Sequence, residues 1–225
     1  RWGSQAGTFA FASGALIDVQ EGIFIGGSSA NENWTNNASD LNVAGGALFN
    51  GVEANVRVGA LTGTGTIRSG YGGAGYSTFT FGVGDASGTF GGELSHNDGI
   101  SYGHYTKVGT GTQTFTGTVR VIANGGGTGL TIGAGTVEIG GDGTFEGGSW
   151  PNAMINNGTF HYNSTVNNTM SGVISGTGDL VKGNTSTLTL NGNNTYTGQT
   201  TINGGVLVLN NPSGGAYTYR GGDIN

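Results

Sequence analysis

Cysteine is absent from this chain of 225 residues, which excludes disulfide staples, a thiol nucleophile and a Cys-ligated zinc finger. That absence is compatible with bacterial export. Proline occurs only 2 times, so the 50 glycines cannot belong to a collagen, which needs a Gly-X-Y period rich in proline. Charged residues make up 9%, far below the roughly 25% of ordinary globular domains. The 7 basic and 13 acidic residues leave a net charge of −6, which argues against nucleic acid and against a polybasic membrane contact. No apolar run reaches the ~18 residues of a membrane-spanning helix, so no membrane insertion is expected. No signal peptide is visible, and Arg1 and Trp2 open directly into patterned sequence. The chain reads as one domain, residues 1–225, cut from a larger secreted multidomain protein with covalently linked neighbours.

What is abundant is Gly, Thr, Asn and Ser, alternating with Val, Ile, Leu and Phe. With 34% apolar residues the chain can bury a core, and it is expected to be ordered. Thr and Val suit strands, while Gly and Asn suit the corners between them. Period two is visible at Val119 and Val121, Leu130 and Ile132, Val137 and Ile139, and Leu188 and Leu190, and no segment has helical periodicity. The run Val206-Leu-Val-Leu209 is apolar throughout, as in a strand buried on both faces.

Strands are expected at Leu180–Lys182, Thr187–Leu190, Thr200–Asn203 and Val206–Leu209. The order repeats upstream. Phe90-Gly-Gly-Glu-Leu-Ser95 parallels Met170-Ser-Gly-Val-Ile-Ser175, Lys107–Gly117 parallels Lys182–Gly192, and Leu130–Ile139 parallels Thr200–Leu209. A poorer copy at Leu61–Arg68 matches Ile174–Val181. A unit of ~75 residues holds several coils of a solenoid, and roughly eight to ten coils of ~22 to 25 residues would fill the chain. Phe9, Phe11, Leu16, Ile17, Ile23, Phe24 and Ile25 could build the first coils. Ala216-Tyr-Thr-Tyr-Arg220 could begin another coil or act as a lid.

The stretch Met170–Leu209 resembles the passenger-associated transport repeat of bacterial autotransporters. The matching residues are Ser175-Gly-Thr-Gly178, Lys182, Thr187-Leu-Thr-Leu190, Gly192, Asn194-Thr-Tyr-Thr-Gly198 and Thr201-Ile-Asn-Gly-Gly205. The resemblance implies an all-β, right-handed parallel β-helix that is exported and either secreted or displayed at the cell surface. It implies a stalk and no activity of its own. More loosely, the chain is similar to β-helix modules that bind xylan beside secreted glycoside hydrolases.

Little in the sequence suggests chemistry. His96, Asp98 and His104 form the one grouping that suggests a metal, and ordinary loop polarity explains it better. No G-x-S-x-G elbow exposes a serine. The acids Asp85, Glu93, Asp98, Glu138, Asp142 and Glu146 are dispersed, whereas a polysaccharide-cleaving enzyme needs two on one face. No cofactor is expected. Asp142 and Asp179, in Gly-rich turns, are the candidates for a structural calcium. Aromatics in polar surroundings are the better lead, because sugar rings stack on them. These are Trp34, Tyr71, Tyr76, Tyr102, Tyr105 and Trp150, each of which could instead fold back over a coil corner. The leading expectation is therefore a non-catalytic module that binds a plant polysaccharide such as xylan. The alternatives are a stalk segment of an autotransporter adhesin and, third, a polysaccharide-cleaving enzyme.

Overall fold

Alternation sends every second side chain of a strand to the same side. Glycine at the ends lets the chain turn after a short run, so short strands can wind a hollow that the inward row fills. The computed structural model describes residues 8–27, 32–70, 78–96, 103–121, 127–211 and 215–220, and they form a parallel β-solenoid. Among them there is no α-helix, only short strands and two 3-10 turns, Val83–Asp85 and Glu146–Gly148.

One sheet runs the whole length and takes one strand from each coil. It comprises β1 (Leu16–Val19), β3 (Asp40–Val43), β5 (Leu61–Gly63), β8 (Gly88–Phe90), β11 (Thr112–Phe115), β14 (Thr136–Gly141), β18 (Thr159–Ser164), β21 (Asp179–Lys182) and β23 (Thr200–Ile202). A second sheet flanks its first part, with β2 (Ile23–Ile25), β4 (Leu48–Asn50), β6 (Thr66–Ser69), β9 (Glu93–His96), β12 (Thr118–Val119) and β15 (Thr144–Phe145). The third has β7 (Thr78–Phe81), β10 (His104–Lys107), β13 (Thr128–Ile132), β17 (Ala153–Asn156) and β20 (Ile174–Ser175). A fourth takes over from the second, with β16 (Ser149–Trp150), β19 (Asn168–Met170), β22 (Thr187–Leu190), β24 (Val206–Asn211) and β25 (Gly215–Arg220). The seam between second and fourth sheets is the turn Glu146–Gly148.

All these pairs are parallel except the last, in which β25 folds back antiparallel on β24. Leu16 pairs with Asp40, Gly63 with Phe90, and Thr159 with Asp179. Coil length therefore varies along the solenoid, long between Gly63 and Phe90 and short between Thr159 and Asp179. The upstream copies seen in the sequence are one side out of phase. Lys107 ends a third-sheet strand, whereas Lys182 ends a first-sheet strand. Strand, corner, strand is the same recipe on any side, so the sequence shows the module without its register.

The inward rows build the core. Trp34, Phe49, Phe79 and Tyr105 are buried along the early coils, with Phe49 edge-on to Trp34 at 6.1 Å and to Phe79 at 5.8 Å. Later coils use Met170, Leu180, Leu188, Leu190 and Leu207. Within Val206–Leu209 only Leu207 is fully buried and the other three are half-buried, so that strand is not covered on both faces. Glycine is obligatory at Gly63, where φ is +96° and a Cβ would stand 2.1 Å from the carbonyl oxygen of Val43.

Side-chain oxygens of one coil also hold backbone amides of the next. The N–H of Ala60 donates to Asp40 Oδ1 (2.7 Å), that of Thr78 to Asn55 Oδ1 (2.9 Å), and that of Thr110 to Asp85 Oδ1 (2.7 Å). The Thr110 amide holds the Asp85 carboxyl below the usual carboxylate range. Near the C-terminal end the N–H groups of Thr177, Thr187 and Gln199 donate to Asn157, Asn167 and Asp179, each 20 residues back. These brackets supply partners for corner amides that no strand pairs.

Candidate functional site

Where the second sheet hands over to the third, three successive coils carry long connections. Residues 70–77, 97–103 and 120–127 join β6 to β7, β9 to β10 and β12 to β13. Beyond the seam the matching connections shrink to residues 151–152 and 171–173. The solenoid is thus elaborated at one corner, on its first part only.

Beside that corner stand Glu93, Arg120 and Glu146. The register stacks Glu93, Thr118 and Thr144 in adjacent rungs, and Arg120 reaches both ways from the middle coil. Its Nε donates to Glu146 Oε2 at 3.0 Å, and its Nη1 lies 3.5 Å from Glu93 Oε1. His96 is buried with Nδ1 3.2 Å from the Arg120 carbonyl oxygen. The Tyr105 hydroxyl donates to the Ser95 carbonyl oxygen, and its burial holds that phenol well above the usual range. Both carboxylates lie within ion-pair distance of one guanidinium, so the arrangement ties three coils together. Being partly exposed, each ion pair adds little stability, about 0.2–1 kcal/mol.

A second pair lies on the outer face of the first sheet, where His161 Nδ1 is 2.8 Å from Glu138 Oε2. Of the dispersed acids, Glu138, Asp142 and Glu146 face three different partners: His161, the Thr165 hydroxyl (2.7 Å) and Arg120. Among the described residues no group of three or more His, Cys, Asp or Glu could hold a metal ion. Asp142 accepts that hydroxyl and Asp179 the Gln199 amide, so one oxygen of each candidate calcium ligand already serves the coil stack.

The aromatic candidates divide. Trp34, Tyr105 and Trp150 are each 1% exposed and belong to the core, which corrects the expectation that they offer a face to sugar. Trp34 stacks on Phe9 at 4.0 Å and its Nε1 donates to the Gly26 carbonyl oxygen at 3.0 Å. Trp150 packs 4.9 Å from Phe145. Their polar sequence neighbours are corner residues, such as Asn33 accepting the Thr35 amide, and the ring itself turns inward. Tyr71, Tyr76 and Tyr102 lie outside the described residues, as does Asp98. His96 is buried while His104 is exposed at the start of β10.

Two buried lysines escaped the sequence reading. Lys107 Nζ donates to the carbonyl oxygens of Val108 and Gly109 at 2.7 and 2.9 Å. Lys182 Nζ donates to the Gly183 carbonyl oxygen and stands 5.6 Å from the centre of the Tyr162 ring. Burial pulls both ammonium groups below the usual lysine range, with Asp85 opposing this at Lys107. The alternation held the signal. Lys107 falls on the inward row with Tyr105, and Lys182 with Leu180.

Comparison with known proteins matches residues 180–209 to the passenger-associated-transport-repeat family. In the structure that segment runs from β21 through β24. The chain is also similar to the Neisserial autotransporter lipoprotein NalP of two serogroup B strains of Neisseria meningitidis. The identity is 55% over 56 residues, which is 21% of this chain and 5% of the relative in both cases. The chain thus spans a small part of the length of the curated relatives it matches. No solved structure matches it. The chain is a parallel β-solenoid of a secreted or cell-surface protein, and its residues 180–209 match the passenger-associated transport repeat of autotransporters.

Proposed function

We propose that this solenoid is a non-catalytic stalk segment of an autotransporter passenger, a stiff spacer that carries neighbouring domains of the same polypeptide. The single observation behind this reading is that the passenger-associated repeat coincides with the most regular coils, which step from Thr159 to Asp179 and on to Gln199. A spacer depends on register and hardly on identity. Removing residues 180–199 from the longer protein takes out one whole coil and should preserve surface delivery. Removing half of that segment leaves the strands out of phase with their coil and should abolish it. Equal loss in both variants, measured by surface proteolysis, would rule out a spacer.

A second reading, recognition of a polysaccharide such as xylan, keeps one favourable observation, the run of three long connections at one corner. Its aromatic support narrows to Tyr71, Tyr76 and Tyr102. Affinity electrophoresis in soluble xylan, glucan and pectin checks it, with retardation lost in a triple Tyr→Ala variant. Unretarded parent protein removes the reading.

A further inference from the structure

Each coil from the β5 coil through the β18 coil places strands in turn on the first sheet, on the second or fourth (on both in the β14 coil), and on the third. The ninth coil has β23 and β24 and then departs from this order. By the coil period its third strand should come next. Instead Gly215–Arg220 runs back antiparallel along β24. The place left for the third strand is a groove of about 530 Å³ whose apolar floor is Leu190, Tyr196 and Leu209, with Asn194 and Thr195 along its side. Residues 193–198 form its lower edge. The N–H groups of Thr195 and Thr197 donate downward to Ile174 and Gly176 at 2.9 Å, and no described residue hydrogen-bonds to the other edge of their backbone.

An extended edge above an apolar floor accepts one thing well, another strand with alternating side chains. We propose that this groove is the seat of the missing third strand, and that Gly215–Arg220 of the same chain is its occupant. The antiparallel hairpin with β24 is the second, closing position of the same segment. The period carries the assignment. The coil step here is that from Leu180 to Thr200, and other coils are longer, as between Gly63 and Phe90. A step one residue longer than the first sets Tyr217 beside Tyr196 and Thr218 beside Thr197. Gly215-Ala-Tyr-Thr-Tyr-Arg220 also has the alternation that the inward and outward rows of every other rung require. The hairpin hides the edge of β24 when nothing follows, and the parallel position lets stacking continue. This inference rests on the fold and is independent of the stalk reading.

The chain contains no cysteine, so an introduced pair can close in only one way within a molecule. A shared Cys at 218 puts the two positions in competition. Val208→Cys with Thr218→Cys reports the hairpin, in which these residues are cross-strand partners. Thr197→Cys with Thr218→Cys reports the parallel seat, where neighbouring rungs fall within disulfide reach. Thr195→Cys with Ala216→Cys repeats that test with a different pair, in case one variant folds poorly. Folding of each reduced protein is checked by far-UV circular dichroism. Under mild oxidation the 197–218 pair, or the 195–216 pair, should close within the monomer to at least a tenth of the yield of 208–218. Closure of 208–218 alone, or closure of the parallel pairs only between molecules, overturns the proposal.

Discussion

The early coils and the last ones obey one topology with different materials. Up to Tyr162 the inward rows interleave aromatic rings with aliphatic side chains, and most coils are long, as from Gly63 to Phe90 and from Thr136 to Thr159. From Met170 onward every buried hydrophobic side chain among the described residues is aliphatic, and the coils shorten, as from Leu180 to Thr200. The extra length sits in the connections, such as residues 70–77, 97–103 and 120–127, because the short step from Leu41 to Leu61 still encloses Phe49 and that from Thr159 to Asp179 encloses Phe160 and Tyr162. In the short coils near the C-terminal end the Asn and Asp brackets recur at the coil spacing. One early coil shows that spacing and bracket travel together. Leu41 pairs with Leu61, and Asp40 holds the Ala60 amide across the same step. Regularity, then, goes with short coils, and the passenger-associated repeat matches residues 180–209 among them.

The comparison breaks first in the aromatic column. Phe79→Ala removes a ring wedged between Phe49 and Tyr105 and should cost about 3–5 kcal/mol in urea unfolding. A loss no larger than that of Leu188→Ala would show that the aromatic column holds the stack no better than the aliphatic one. Next comes the irregular place where β5 and β8 share only the pair Gly63 and Phe90. There the Gln113 amide reaches two coils back, accepting from the Leu61 N–H at 2.9 Å and donating to its carbonyl at 3.0 Å. Gln113→Leu strands both groups and should cost about 1–3 kcal/mol, whereas Gln113→Glu restores only the acceptor. The short-coil bracket is smaller. Asn167→Ala should lower stability by about 1 kcal/mol, and Asn167→Asp should recover most of it.

The smallest effect is the dependence on pH. Because burial depresses the Lys182 ammonium in the folded state, the unfolded chain binds more protons between the folded and unfolded values. The stability contribution of Lys182 must therefore rise with pH across that window and be least below it. Subtracting the Lys182→Met curve from that of the parent isolates this rise in denaturation from neutral to alkaline pH. A flat difference would mean that the ammonium is better solvated than its surroundings suggest.

Strands were the legible part. Thr187–Leu190 falls where alternation puts it, and Leu180–Lys182 gains only Asp179. Hydroxyl and amide rows against aliphatic rows leave little choice of face, so the fold class was readable too. Register was not, because it depends on how much chain each corner absorbs, and short and long corners look alike in Gly and Asn. For the same reason Glu93, Arg120 and Glu146 are a whole coil apart in sequence and neighbours in space. Trp34, Tyr105 and Trp150 failed as sugar platforms through a rule applied too locally. Asn and Thr around Trp34 mark a corner, and a corner can still send its ring inward.

The handover at Glu146–Gly148 has a mechanical consequence. Along the long axis the nine-stranded sheet is unbroken, while its flank is stitched from two sheets that do not pair with each other. A tear started at the last coil can run up the fourth sheet only as far as β16, and must then begin again on a different ladder. Pulled from that end, the rod should yield in two stages, the fourth sheet before the second.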